Sequence, residues 1–201
     1  MQKFRQSLVA LAIMGAFCVA YADELAGTFT DTRDDKTYKT IKIGSLTWMA
    51  ENLNTKTDGS LCYNEDEANC EKYGRLYEWK EALEACPAGW HLSSRQDWSG
   101  LITKMGGYKG AGTKLKATSG WDGSGNGADD YGFSALPGGH RNSKSVFSNA
   151  GNKGYWWTNS GPSNTKAYYR GISSDKAVLE ETVSVEESKQ GSFFSVRCVA
   201  D

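Results

Sequence analysis

Apolar and polar positions change period along this chain, and each change predicts an element. Residues 37–43 alternate, are rich in β-branched side chains and follow the turn residues Asp34 and Asp35, which predicts a strand entered from a hairpin. A second strand over 46–50 follows the Gly44-Ser45 turn. From 74 to 85 the period becomes helical: Leu76, Trp79 and Leu83 share one face, and Cys86-Pro87 ends the run. Ser93 and Ser94 precede Gln96 and Asp97 in a capping-box pattern. Trp98, Leu101, Ile102 and Met105 follow at helical spacing, and Gly106-Gly107 stops that second helix. Residues 110–139 are dense in glycine, with Asp and Asn between, and fit no period, so a long structured loop is expected there. Strand-like segments return at 155–158, 166–173, 177–185 and 192–199. Early helices, an irregular middle and a late antiparallel sheet predict an α+β fold.

The amino terminus departs from this pattern. Lys3 and Arg5 precede an apolar run from Leu8 to Val19, which closes on Ala20-Tyr21-Ala22 before Asp23. This reads as a signal peptide cleaved after Ala22, since the apolar run is shorter than the roughly 20 residues a spanning helix needs. Phe17 directly before Cys18 fits a lipoprotein signal badly, so an unlipidated product is expected. Removing Lys3 and Arg5 leaves 21 basic against 24 acidic residues, a net charge of about −3. No basic stripe for nucleic acid or anionic lipid is present, and no membrane insertion is expected after cleavage. With 23 Gly, 7 Trp and 10 Tyr, the composition describes a loop-rich domain with many aromatics rather than a helical bundle.

Cys18 leaves with the expected leader, so four cysteines remain: Cys62, Cys70, Cys86 and Cys198. An even count in an exported chain points to two disulfides. Of the three pairings, spacing favours a local Cys62–Cys70 loop, with Cys86 reaching Cys198. Zinc is disfavoured because there is no C-x2-C pair and neither His91 nor His140 has ligand spacing to the cysteines.

Several blocks resemble a known family. Residues 38–44, then Trp48-Met49-Ala50-Glu51-Asn52-Leu53, are similar to the opening signature of the Fibrobacter succinogenes major paralogous domain family. The run from Tyr73 to Trp79, the block from Cys86 to Leu92 and Asp97-Trp98 resemble its centre; residues 132–139 and 194–199 resemble its later blocks. Ser93-Ser94-Arg95 departs from the usual run before the second helix, and 180–190 is long and acidic. The resemblance implies a C-type-lectin-like fold, shared with formylglycine-generating enzymes. In it, two helices pack on a twisted antiparallel sheet with long Gly-rich loops, stapled by disulfides. It also implies a helix-to-final-strand disulfide, in agreement with Cys86–Cys198. The chain then divides into a leader (1–22), a short lead-in (23–30) and one domain (31–201).

Within the glycine-rich stretch, Asp122, Ser124, Asn126, Asp129 and Asp130 place oxygens at calcium-loop spacing. At the last ligand position of an EF-hand loop, where Glu is needed, stands Phe133, and the competing reading is a series of Gly/Asp turns. Trp121, Tyr131 and Tyr108 lie on or beside this loop and are the candidate stacking platforms for a ligand. Trp48, Trp79, Trp90, Trp98 and Trp157 are expected in the core, Trp157 because the resemblance places it there. His91 is expected to be a buried structural histidine and His140 to lie in a loop, and adjacent Asp129 and Asp130 do not make a glycosidase-like pair. The paired reactive cysteines of formylglycine-generating enzymes have no counterpart once all four are oxidised.

The expectation is a secreted or cell-surface, non-catalytic binding or adhesion domain, for polysaccharide. The alternative is a structural or protein-interaction module of the bacterial envelope, and an enzyme stands last. No cofactor is required; calcium is the candidate ion. The partners are an extracellular polysaccharide or an envelope protein.

Overall fold

The structure is a computed structural model that describes residues 26–163, 166–175, 177–183 and 191–201. The expected leader and its cleavage point lie outside these, as does 184–190 of the acidic stretch. Two sheets organise the described residues. In the first, β1 (Ala26–Thr30), β2 (Thr37–Ile43) and β3 (Leu46–Met49) form an antiparallel meander. It is completed by β12 (Cys198–Ala200) and β5 (Trp90–Leu92), in the order β1-β2-β3-β12-β5. The second sheet begins with β10 (Leu179–Val183), β9 (Tyr168–Ser173) and β8 (Lys153–Trp157). It continues with β11 (Phe193–Ser195), β6 (Gly138–Arg141) and β7 (Phe147–Ala150), while β4 (Leu76–Glu78) pairs with β11. Most of its pairings are antiparallel, but β8 meets β6 and β11 in parallel. Four α-helices are described: α1 (Glu67–Tyr73), α2 (Trp79–Ala85), α3 (Arg95–Lys104) and α4 (Tyr108–Leu115). The fold is α+β, as the periodicities predict.

Successive strand residues point to opposite faces, and here both faces are buried. Trp48 and Met49, Trp156 and Trp157, and Val199 and Cys198 each divide between two cores. The first core holds Trp98, Leu101 and Ile102 of α3 and Leu115 of α4; the second holds Ala82 and Ala85 of α2. Trp156 and Trp157 are therefore both fully buried, although adjacent in sequence.

Several local expectations change, among them the long loop expected over 110–139, of which 111–115 are helical in α4. The helix expected over 74–85 begins only at Trp79, because residues 76–78 pair with β11 and Leu76 also bonds to Leu61. Leu83, expected on the apolar face, is exposed, and the small residues Ala82 and Ala85 make the contact instead. The single strand expected over 192–199 is two strands in different sheets, with Val196 and Arg197 at the crossing. The expected lead-in contains β1, held to β2 along its whole length.

Other signals hold. Ser94 caps α3: its Oγ accepts from Asp97 N at 3.0 Å, and the Asp97 carboxylate accepts from Ser94 N at 2.7 Å. Cys62 bonds to Cys70 and Cys86 to Cys198, the pairing that spacing favours. The second bridge ties the end of α2 to β12. Arg33 supports the same corner by pairing with buried Asp31 at 2.7 Å and donating to Ala85 O at 2.8 Å.

Candidate functional site

The crossing between the sheets leaves Arg197 fully buried. Its guanidinium donates to Asn52 Oδ1 at 2.8 Å, Phe133 O at 2.6 Å and Met49 O at 3.1 Å, and lies 4.3 Å from the centre of the Phe133 ring. Burial pushes its pKa down to about 9, so the group is still a cation at neutral pH. Asn52 is the other half of this hub. Its Oδ1 also accepts from Trp156 Nε1 at 2.8 Å, and its Nδ2 donates to Tyr73 O at 2.8 Å. Five distant stretches of chain thus meet through one amide and one guanidinium: 49–52, the end of α1, the loop at 133, β8 at Trp156 and the crossing at 197. Such a network fixes geometry because each unpaired member would carry a desolvation cost.

A pocket of about 360 Å³ opens above Asn52, between the start of β2, residues 50–54, the end of α1 and residues 134–136. Gly74 is necessary at its edge: φ is +76°, and a Cβ there would stand 2.7 Å from the Asn52 Cβ and 2.9 Å from Leu53 O. The wall carries Lys36, Lys39, Lys72, Glu51, Glu71 and Asn54. Lys36 Nζ donates to Asn54 O at 3.2 Å, and Glu51 Oε2 accepts from Lys39 N at 2.9 Å. Asn54 Oδ1 is buried without a hydrogen-bond partner. A small cavity with several convergent polar groups on rigid elements is suited to holding a polar ligand.

Residues 41–200 match the family model described as the Fibrobacter succinogenes major domain. The chain belongs to that family. No curated protein and no solved structure matches. In this Fibrobacter succinogenes major domain, four of the blocks that carry the resemblance, at 48–53, 73–79, 132–139 and 194–199, meet at the hub, and their polar members Glu51, Asn52 and Ser134 line the pocket. Lys36, Lys39, Glu51, Asn54, Lys72 and Ser134 belong to no motif of site chemistry in the sequence. The available signal was the presence of polar residues inside or beside otherwise apolar blocks.

The glycine-rich loop of the domain differs from expectation. Trp121 is not a stacking platform: it is 4% exposed, belongs to the first core, and donates from Nε1 to Ala135 O at 2.9 Å. Tyr131 is half-buried against the same core, and only Tyr108 is exposed, on α4. Glycine lets the loop fold down over the tryptophan; a Cβ at Gly127 would collide with the carbonyl oxygens of Lys116 and Thr113. Two of the five expected calcium ligands, Asn126 and Asp129, have their side chains engaged within the loop. Asn126 Oδ1 accepts from Trp121 N at 3.0 Å, and Asp129 accepts from Ser134 N and Oγ at 2.7 Å each. Gly125 N closes a turn onto Asp122 O at 3.1 Å, while Ser124 and Asp130 are exposed. Among the described residues, Asp122, Asp129 and Asp130 form no three-carboxylate group. The cluster of that kind, Cys62, Glu67 and Cys70, has both sulfurs in a disulfide.

The histidines are placed by the fold. His91 lies 2.8 Å from Asp201 Oδ1 through Nδ1 and 3.1 Å from Asp97 Oδ2 through Nε2. Burial opposes its charge, but the two carboxylate hydrogen bonds outweigh that and hold its pKa above the ordinary value. It is hydrogen-bonded as expected, yet its side chain is 37% exposed rather than buried. His140 lies in β6, not in a loop, with its ring 4.9 Å from that of Tyr155.

Proposed function

We propose that this domain is an exported, non-catalytic recognition module of lectin-like architecture. Its ligand site is the pocket above the Asn52–Arg197 hub, and its ligand is a unit of an extracellular polysaccharide. The observation that carries the reading is the pocket itself: hydrogen-bonding side chains converge on a 360 Å³ space whose floor is locked by buried hydrogen bonds. A sugar presents hydroxyls that such walls can satisfy. The disulfide from the end of α2 to β12 supports the lectin-like architecture, being the link the family resemblance implies. The two disulfides fit an extracellular protein, and no helix of the described residues is long and apolar enough to cross a membrane. Binding rather than turnover is favoured by the pocket's chemistry. Its ionisable wall is lysine, glutamate and tyrosine without histidine or aspartate, and Ser134 Oγ is bound to Asp129 rather than to a histidine base.

The test is a glycan array probed with the oxidised protein and with Thr37→Trp. Thr37 is an exposed residue of β2 on the pocket wall, so an indole there fills the space without entering the core. The expected result is glycan retention by the parent, its loss in the variant, and melting temperatures within a few degrees of each other. Retention that survives Thr37→Trp would place the site elsewhere. Capture of an envelope protein with no glycan retention would favour the protein-interaction reading.

A further inference from the structure

We propose that the pocket selects an anionic sugar unit, one bearing a carboxylate or sulfate, through the ammonium groups of Lys39 and Lys72 and the buried positive charge of Arg197. This deepens the polysaccharide reading and rests on it. Three lysines line the pocket against two glutamates, whereas the whole chain carries a formal charge of −1. The local sign is opposite to that of the protein.

The two glutamates are already engaged. Glu51 is held to the β2 backbone by its bond from Lys39 N, and Glu71 lies 3.9 Å from Lys36 Nζ. Lys39 Nζ has no hydrogen-bond or ion-pair partner among the described residues. Lys72 Nζ lies 4.7 Å from the centre of the Tyr73 ring, a cation–π contact, and pairs with no carboxylate among the described residues.

The floor adds a further positive charge beneath the rim. Arg197 is hydrogen-bonded to neutral oxygens of Asn52, Met49 and Phe133 rather than to a carboxylate, and the negative charges of Asp129 and Glu51 offset its charge only from a distance. A buried charge is screened far less than a surface one, and Asn52 is both its partner and part of the pocket wall. Asn54 supplies the remaining specificity. Its amide oxygen is buried and unpartnered, so it reaches a sugar hydroxyl only if the side chain turns toward the pocket it lines. The pocket volume lies within the roughly 300–1,000 Å³ range of small-molecule sites.

The experiment compares three trisaccharides by calorimetry on the whole oxidised protein: a trigalacturonide, its carboxyl-reduced neutral form and a sulfated galactan trisaccharide. Binding is measured for the parent, Lys39→Ala/Lys72→Ala and Thr37→Trp. The parent is expected to bind at least one acidic trisaccharide about tenfold or more tighter than the neutral one, with a preference that falls as salt is added. The two acidic probes separate carboxylate from sulfate. The double variant should lose this preference, and Thr37→Trp should lose all binding. Equal affinity for acidic and neutral probes, or a preference unchanged in the double variant, would overturn the anionic selectivity while leaving the pocket as the binding site. Binding of none of the three, or binding that survives Thr37→Trp, would overturn both readings.

Discussion

The hub pocket and the glycine-rich loop are both polar, but they use their polar groups in opposite ways. In the loop, Asn126 and Asp129 turn back on their own backbone, and Trp121 is the plug they close over. At the hub, Asn52 and Arg197 satisfy one another beneath the surface, leaving Lys39, Lys72 and Asn54 around an open space. Density of Gly and Asp reports turns. A site is better marked by a few polar residues that the fold holds in place for no backbone purpose of their own.

The comparison breaks most directly at Arg197. Arg197→Ala leaves Met49 O and Phe133 O without this donor, at about 1–3 kcal/mol for each buried carbonyl, and opens a void besides. Against a typical total of about 5–15 kcal/mol, this variant is expected to lose cooperative folding, read by circular dichroism and urea titration. A native-like transition would show that the hub is not what fixes the pocket.

The disulfides sharpen the same contrast. Replacing Cys86 and Cys198 by serine opens a link spanning 112 residues, expected to lower stability by about 5 kcal/mol on the loop-entropy model. The Cys62–Cys70 link spans 8 residues, and its loss should cost about 2.5 kcal/mol. Equal denaturation midpoints for the two double variants would contradict this ranking. Trp121→Ala tests the loop: a buried tryptophan should cost about 3–5 kcal/mol by chemical denaturation, whereas an exposed platform would cost almost nothing.

The smallest effect is a pH dependence. The folded pKa of His91 is raised, so its bonds to Asp97 and Asp201 contribute fully below the unfolded value of about 6.5. That contribution is lost as pH rises through the higher folded value. The melting temperature should therefore carry a small fall with pH above 6.5 that His91→Gln removes; identical profiles would exclude the clamp.

Much of this architecture was legible in the sequence. The alternation of β2, the capping box at Ser94 and the apolar spacing from Trp98 to Met105 are local signals, and they form local structure. Cysteine spacing was sufficient because one short and one long link suit the four positions. What was not legible depends on partners distant in sequence. Leu76 joins a strand because β11 and Leu61 lie beside it, and no property of 74–85 announces them. Trp156 and Trp157 are both buried because each face of β8 has its own core. The pocket was hidden for the same reason: the β2–β3 hairpin brings Lys39 and Glu51 together locally, but Lys72 and Ser134 join them only through long-range contacts such as those by which Arg197 ties Met49 and Asn52 to Phe133.

The claim that the pocket above the hub is the ligand site is tested most directly by a backbone-amide NMR titration of the oxidised protein with the trigalacturonide and its neutral counterpart. The account predicts that the largest shift changes fall on Lys39, Glu51, Asn54, Gly74 and Ser134, while residues 122–127 stay still. Changes concentrated at 122–127, with the pocket amides unmoved, would contradict it and return the site to the glycine-rich loop.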